Sequence, residues 1–176
     1  MILCALRRAQ KRSNYMGLLG KLFGISLHYI GAPVSGKAIP LHEVNDPAFA
    51  AGLLGKGIAI QPVVGSVFAP CDAKVDMLFE TGHAVTLVTD FGAEILIHIG
   101  LDTVNLKGKY YTPQVKTGDT VKKGQLLIEF DLQAIKDAGY DSVTPMVICN
   151  SADYRTISTH TGVQVRAGEA VVKLSK

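Results

Sequence analysis

The fold of this chain is decided by residues 83–99, which read HAVTLVTDFGAEILIHI. Two apolar runs rich in β-branched residues, 85–89 and 94–99, flank a short turn at residues 90–92. Two such runs around a glycine-containing turn are typical of a β-hairpin. We therefore predict that this segment forms two adjacent antiparallel strands.

Each predicted strand carries a histidine near its outer end. Alternation along the second strand places His98 on the same face as Leu96, with Ile97 on the opposite face. Along the first strand, His83 shares a face with Val85. Because antiparallel pairing brings the outer ends of a hairpin together, the two imidazoles are predicted to lie side by side at the end of an apolar sheet.

Short apolar runs of the same kind continue along the chain, for example at residues 58–60 and 126–130. Gly, Pro and Asp interrupt them about every ten residues, which is the spacing of a sandwich or barrel. We predict an all-β fold, a single-domain antiparallel β-sandwich of barrel-like form with one or two short helical turns. Asp46 and Asp131 are placed to cap these turns, and Gly139 to end the second.

Two pairs of fragments echo each other. Residues 32–37, APVSGK, resemble residues 69–74, APCDAK, and residues 118–124 and 162–168 share the pattern Gly-x-x-Val-x-x-Gly. The second pattern predicts a strand-turn-strand unit in which one Val points inward and the glycines take turn conformations. Two echoes are too few for a solenoid and favour one compact sandwich built from two similar halves.

Composition excludes several classes of protein. The 176 residues are 48% apolar and 19% charged, a globular balance, and no apolar run approaches the roughly 20 residues of a membrane-spanning helix. The net charge of +3 comes from residues 1–15, which carry four basic and no acidic side chains. The rest of the chain is nearly neutral, so no nucleic-acid interaction is expected. Three scattered cysteines indicate a reducing cytoplasm.

The N-terminal segment is predicted to be separate from the domain. We assign residues 1–27 to an arm or linker, expected to be mobile, and residues 28–176 to the domain. The arm lacks a secretory cleavage site, and Met16-Gly17 resembles a second start. Leu18, Leu22 and Phe23 form a short amphipathic pattern, which leaves a weak contact with a membrane surface as the alternative to a simple arm.

Paired imidazoles have two chemical uses that the residues alone leave open. Neutral imidazole is a common zinc ligand. It is also a nucleophile for phosphorus, and a second imidazole can then donate a hydrogen bond to the phosphoryl oxygens. The remaining histidines, His28, His42 and His160, lie in polar or irregular stretches and are predicted to be ordinary surface residues.

Three segments carry a strong resemblance to a known family: FETGHA at residues 79–84, EILIHIGLDTV at residues 94–104 and LKG at residues 106–108. The chain resembles the enzyme IIA domain of the glucose family, from the bacterial phosphoenolpyruvate-dependent sugar phosphotransferase system. The likeness extends from about residue 32 to residue 174. Lys56 stands where glucose-specific members usually have an acidic residue. In this respect the chain is more similar to the β-glucoside-type branch.

The resemblance implies a β-sandwich with a shallow apolar active site. By motif match, His98 is expected to be the phosphohistidine, modified at Nε2 while a backbone carbonyl such as that of Gly100 holds Nδ1–H. His83 is expected to contact the phosphoryl group, supported by Thr81. The residues expected to bind partner proteins are two acids at the rim and three apolar side chains: Asp46, Asp102, Phe49, Phe79 and Ile97.

The resemblance also implies partners. The donor is expected to be the histidine-containing phosphocarrier protein, and the acceptor a cysteine of a IIB domain of a sugar permease. No cofactor or metal is required, although regulatory zinc at His83 and His98 is compatible with the pair. The chain is expected in the cytoplasm, either free or tethered to the inner face of the cell membrane as part of a permease.

Three alternatives remain beside this interpretation. A zinc-dependent hydrolase on a related β fold would use the histidine pair as ligands, but no third ligand with a recognisable spacing is present. The pattern of residues 118–124 is similar to that of a biotinyl or lipoyl carrier. The chain lacks the modified lysine of those carriers, which lies at the tip of a turn in a Met-Lys-Met or Asp-Lys-Ala sequence. A regulatory protein would dock on other enzymes through the apolar face, which is compatible with phosphoryl carriage.

Overall fold

The computed structural model describes residues 26–176, so the predicted arm lies outside the described residues except for its last two. Leu27 already belongs to the first strand, one residue before the predicted start of the domain. Fourteen strands follow in the described part of the chain: β1 (Leu27–Gly31), β2 (Gly36–Pro40), β3 (Lys56–Pro62), β4 (Ser66–Phe68), β5 (Ala73–Leu78), β6 (Ala84–Thr89), β7 (Glu94–His98), β8 (Tyr111–Pro113), β9 (Thr120–Val121), β10 (Leu126–Phe130), β11 (Thr144–Ile148), β12 (Thr156–Thr159), β13 (Gln164–Val165) and β14 (Ala170–Ser175).

The strands form one large and two small antiparallel sheets. The large sheet has eight strands in the order β13-β2-β3-β11-β7-β6-β5-β9, and the small sheets have the orders β1-β14-β12 and β4-β10-β8. Their inner faces enclose a core of aliphatic side chains. The largest that are fully buried are Ile30, Ile58, Ile60, Leu87, Ile95, Ile97, Ile99, Leu127, Ile128, Ile135, Met146 and Ile148. The predicted all-β, antiparallel architecture is confirmed.

The helical content is small, as predicted. The described residues contain two short α-helices, α1 (Pro47–Ala50) and α2 (Leu132–Asp137). Their N-caps are Asp46 and Asp131, whose carboxylates accept hydrogen bonds from first-turn N–H groups. Three 3-10 helices lie at Leu41–Glu43, Thr103–Leu106 and Ser151–Asp153. No helix within residues 26–176 combines the length and the apolar character needed to cross a bilayer.

The two sequence echoes meet in the structure. At one edge of the large sheet, residues 32–37 meet residues 162–168, where Gly36 of β2 pairs with Val165 of β13. At the opposite edge, Ala73 of β5 pairs with Val121 of β9. Both valines are buried, and the glycines that flank them have positive φ angles. The prediction of two similar halves is therefore confirmed by strand pairing.

The same correspondence extends to single hydrogen bonds. The Gly168 N–H donates to the Ala32 carbonyl at 2.8 Å, and the Gly124 N–H donates to the Ala69 carbonyl at 2.8 Å. Since Ala32 and Ala69 open the first echo and the glycines close the second, each half joins its own two fragments in the same way. This arrangement leaves β7 and β11 in the middle of the large sheet.

Candidate active site

The predicted hairpin is formed by β6 and β7. Ala84 lies opposite His98 in the antiparallel register, and the Ile99 N–H donates to the His83 carbonyl at 2.7 Å. His98 is the last residue of β7, while His83 directly precedes β6. The hairpin therefore brings the backbones of both histidines together, as predicted.

The imidazole rings contact each other because His83 leaves the strand pattern. Strict alternation would direct its side chain to the core face beside Val85, away from His98. Instead, the chain turns at Gly82, which has a φ of 66°, and β6 begins only at Ala84. The ring centroids of His83 and His98 lie 4.9 Å apart in an edge-to-face arrangement with an interplanar angle of 81°. The turn thus creates the pair.

A proline helps to end β7 at the histidine. β11 pairs with β7 up to Met146, which lies opposite Ile97. The next position of this register would bring Pro145 opposite His98, and proline has no N–H to donate. Beyond this point the chain turns at Gly100, which has a φ of 79°, and its N–H donates to the Val143 carbonyl at 3.0 Å.

The tautomer of His98 follows from its hydrogen bond. His98 Nδ1 lies 2.7 Å from the Gly100 carbonyl oxygen. A carbonyl can only accept, so Nδ1 carries the proton and Nε2 of the neutral ring retains its lone pair. Burial lowers the pKa of His98, although the Gly100 hydrogen bond and the charges of Asp46 and Asp102 oppose this shift. At neutral pH, Nε2 is therefore a free nucleophile.

His83 is held by a hydroxyl group. Its Nδ1 forms a hydrogen bond with Thr81 Oγ1. Burial and then the neighbouring His98 lower the pKa of His83 to about 4, so both imidazoles are neutral at pH 7. Unlike a carbonyl, the Thr81 hydroxyl can donate or accept, and His83 can therefore present either a donor or an acceptor at Nε2.

Two phenylalanines pack against the histidine rings at their edges. Phe49 of α1 contacts His98 with a centroid distance of 5.5 Å, and Phe79 contacts His83 at 5.6 Å. Phe49 is buried, while Phe79 is 36% exposed. Asp46 holds Phe49 in place because its carboxylate accepts from the Phe49 N–H at 3.1 Å. These side chains make the surroundings of the pair apolar.

The prediction that Ile97 lies on a docking surface is wrong. Its side chain has no exposed area and belongs to the core, because Ile97 alternates with His98 along β7 and faces inward. Asp102 is exposed at the start of the 3-10 helix Thr103–Leu106, with a φ of 57° that Asp tolerates better than most residues. Its contact with a partner protein stays a prediction.

The sequence analysis missed several exposed apolar residues close in the chain to the site residues. Four join Phe79 in a set that we call the apolar rim: Leu53, Leu54, Met77 and Val104. Leu53 and Leu54 follow α1, and Val104 follows Asp102. Their exposed fractions lie between 39% and 77%. The sequence carried a signal for Leu53, Leu54 and Val104, because these apolar residues lie beside a helix cap or a turn and outside any alternating strand pattern. It carried none for Met77, which lies within β5.

The site contains few groups that could bind a metal. Within residues 26–176, no three His, Cys, Asp or Glu side chains gather in an arrangement suited to an ion. Zinc prefers four ligands, and the histidine pair supplies two.

Comparisons with known proteins find similarity over most of the chain. A family profile described as "phosphoenolpyruvate-dependent sugar phosphotransferase system, EIIA 1" matches residues 28–154. The β-glucoside-specific EIIBCA component of Dickeya chrysanthemi is 48% identical over 143 residues, which cover 81% of this chain and 23% of that protein. The glucose-specific EIIA component of Oceanobacillus iheyensis is 45% identical over 138 residues, covering 78% of this chain and 84% of that protein.

A solved structure confirms the fold. Glucose permease IIA from Mycoplasma capricolum is similar with a TM-score of 0.78 and 33% sequence identity, covering 84% of this chain and 96% of that one. The chain thus corresponds to nearly the whole of this structure, whereas it spans 23% of the length of the β-glucoside-specific relatives that it matches.

Proposed function

The chain belongs to the EIIA 1 family of the phosphoenolpyruvate-dependent sugar phosphotransferase system, and from this membership we propose that it carries a phosphoryl group on His98. EIIA components are phosphotransferase components of these systems. In the proposed reaction, the histidine-containing phosphocarrier protein donates the group. A cysteine of a IIB domain then receives it, which couples the chain to sugar uptake.

The observation that carries the proposal is the free Nε2 of His98. During uptake, Nε2 attacks phosphorus, so that a P–Nε2 bond forms as the P–N bond to the donor histidine breaks. In the onward step, the IIB cysteine attacks as a thiolate, and a P–S bond forms as the P–Nε2 bond breaks. The Nδ1–H hydrogen bond to Gly100 persists through both steps and stabilises the cationic ring that forms on His98.

His83 is proposed to stabilise the transferring group. Its ring faces that of His98, and donation from Thr81 Oγ1 to Nδ1 would leave Nε2–H as a donor. A donor aimed at the phosphoryl oxygens stabilises the charge that develops on them in the transition state. Phe49 and Phe79 limit the access of water to the site, which slows hydrolysis of the phosphohistidine.

Partner proteins are proposed to dock around the histidine pair. The apolar rim offers exposed hydrophobic area, and the carboxylates of Asp46 and Asp102 offer negative charge for an arginine of the incoming carrier. The EIIBCA relatives join their EIIA part to other components in one chain, and this supports a IIB partner. We place the reaction at the cytoplasmic side of the membrane, with no cofactor required.

The test is intact-mass measurement after incubation with phosphoenolpyruvate, enzyme I and the phosphocarrier protein. We expect one acid-labile phosphoryl group on the native chain and none on His98→Ala. His160→Ala is the matched control, because His160 is exposed and its loss leaves the pair intact. Circular dichroism of each variant verifies that the fold is retained.

Two outcomes would contradict the proposal. Labelling that persists in His98→Ala would show that another residue is modified. No mass gain in the native chain, with enzyme I and the carrier shown to be active, would remove the carrier function. Zinc binding to the His83–His98 pair would then be the next measurement.

A further inference from the structure

The backbone carbonyl of Ile99, between His98 and Gly100, accepts hydrogen bonds from two side chains. The Ile99 carbonyl oxygen accepts a hydrogen bond from Thr103 Oγ1 at 2.7 Å and another from the Tyr111 hydroxyl at 3.0 Å. Thr103 is fully buried, and Tyr111 is 8% exposed. We call these two hydroxyl groups, bonded to this one carbonyl, the hydroxyl clamp.

We propose that Thr103 and Tyr111 are positioning residues that keep His98 in the tautomer with a free Nε2. They act on His98 through the backbone, since the Gly100 carbonyl that accepts from Nδ1 follows the clamped carbonyl by one residue. This inference rests on the proposed function of His98 and concerns what holds its reactive form.

The backbone at Gly100 explains why a clamp is needed. Gly100 has a φ of 79° and, as a glycine, can rotate more freely than any other residue. The clamp fixes the Ile99 carbonyl at one end of the peptide plane, while the Gly100 N–H is fixed at the other by the Val143 carbonyl at 3.0 Å. Together these bonds fix the peptide plane on the N-terminal side of Gly100. The next plane, which carries the Gly100 carbonyl towards His98, is held at its other end by the Leu101 N–H, which donates to the Asp141 carbonyl at 2.9 Å.

Thr103 also restrains Gly100 by packing. A Cβ atom added at Gly100 would lie 2.5 Å from Thr103 Cγ2 and 2.9 Å from the Asp141 carbonyl oxygen. The threonine therefore contacts the turn directly with its methyl group while its hydroxyl bonds to Ile99. Thr103 therefore restrains the turn at two consecutive residues, Ile99 and Gly100.

Tyr111 connects the turn to the other histidine. A Cβ atom added at Gly82 would lie 3.1 Å from Tyr111 Cβ, so the tyrosine packs closely under the turn that presents His83. The same side chain reaches Ile99 with its hydroxyl. Burial raises the pKa of Tyr111, so its hydroxyl remains a donor at neutral pH. Tyr111 thus contacts both segments that carry the imidazoles.

The first measurement is the tautomer of His98 by nitrogen-15 NMR of the imidazole, which needs no phosphoryl donor. We expect the native chain to show Nδ1–H, and each of Tyr111→Phe and Thr103→Val to retain most of it, because one arm of the clamp remains. The double variant should show a large population of the Nε2–H form. Tyr29→Phe and Thr112→Val, two exposed positions, are the matched controls.

The second measurement is the rate of phosphoryl uptake. Removing one arm should slow uptake by about 3-fold, and removing both should slow it by about 30-fold or more, beyond the product of the single effects. A native tautomer and a native rate in the double variant would overturn the proposal. A native chain that shows the Nδ1–H form but takes up no phosphoryl group would contradict the proposed function and leave the clamp standing.

A further variant separates hydrogen bonding from packing, and it decides the question if the double variant does not fold. Thr103→Ser keeps the hydroxyl and loses the methyl group, whereas Thr103→Val keeps the shape and loses the hydroxyl. We expect serine to preserve the His98 tautomer better than valine. Equal disturbance by both substitutions would overturn the proposal, because packing alone would then account for the effect.

Discussion

At the scale of single residues, the two histidines differ in the group that holds their Nδ1 atoms. The Gly100 carbonyl can only accept a hydrogen bond from His98, whereas the Thr81 hydroxyl can donate a hydrogen bond to His83 or accept one from it. His98 is consequently held in one tautomer, and His83 is free to adapt. This difference is why we propose His98 as the nucleophile and His83 as the adaptable donor.

His83→Gln tests this division of roles. We expect the variant still to accept a phosphoryl group at His98, because Nε2 of that ring does not depend on His83. Transfer to the IIB domain should slow by about 100-fold, the effect of removing one transition-state hydrogen-bond donor. Single-turnover transfer from purified phosphorylated protein measures this step. An unchanged forward rate would refute the role of His83, and His42→Gln serves as the control.

At the scale of elements, α1 depends on its cap. The helix has only four residues, Pro47–Ala50, and Asp46 accepts hydrogen bonds from the N–H groups of Ala48 and Phe49. A helix this short has little stability of its own, so the cap determines whether Phe49 stays against His98. Asp46 therefore has a structural task besides the proposed contact with a carrier.

Substitution of Asp46 separates the two tasks. Asp46→Ala should lower the free energy of unfolding by about 1 kcal/mol through loss of the cap, whereas Asp46→Asn should retain the cap and most of the stability. Urea unfolding measures this difference. Both variants should slow uptake from the carrier protein, since both lose the charge. Equal stability of the alanine and asparagine variants would contradict the capping role.

The alternation along β7 gives a prediction for Ile97. Because the side chain is fully buried, Ile97→Ala should lower the free energy of unfolding by about 2 to 5 kcal/mol. Val104→Ala, in the apolar rim, should leave stability nearly unchanged, because Val104 is 50% exposed. Chemical denaturation compares the two. A stable Ile97→Ala variant that loses only partner affinity would restore the surface role that the structure contradicts.

At the scale of the whole molecule, the two similar halves determine where the site lies. Each half closes one edge of the large sheet with a short strand, β9 or β13, so the edges are short. β7 and β11 remain in the centre of the sheet. His98 lies at the end of β7, which pairs with a strand on each side. This strand, with hydrogen-bonded neighbours on both sides, is a precise support for a site.

The buried histidines make the stability of the whole fold depend on pH. An unfolded histidine has a pKa near 6.5, whereas that of His83 in the folded chain is about 4. Above pH 6.5 both states are neutral and stability is unaffected. As the pH falls from about 6.5 to about 4, the unfolded state binds a proton that the folded state excludes, so stability is lost.

The expected loss from His83 is on the order of 2 kcal/mol, and the lowered pKa of His98 adds to it. Urea unfolding at pH 7.5, 6.0 and 4.5 measures the dependence. His83→Gln should show a weaker dependence than the native chain, while His160→Ala should match the native chain. An identical pH dependence in His83→Gln would show that burial of this imidazole is not the cause.

The sequence by itself determined the class of fold, the hairpin and both helix caps, because these depend on neighbours in the chain. It also indicated the two similar halves, because their fragments repeat. Alternation, turn residues and capping side chains act over a few positions and can be read from one strand or turn. The histidine motif also indicated the family. Even Ile97 could have been placed correctly, since local alternation already put it opposite His98.

Only the tertiary structure decided how the imidazoles meet. Alternation alone directs His83 towards the core, and the turn at Gly82 that redirects it is held from beneath by Tyr111, which lies far along the chain. The Tyr111 hydroxyl likewise reaches the Ile99 carbonyl only when the chain folds back on itself, whereas Thr103, four residues after Ile99, reaches it locally. Contacts between distant segments leave no periodic pattern, so their geometry emerges from the packing of the whole molecule.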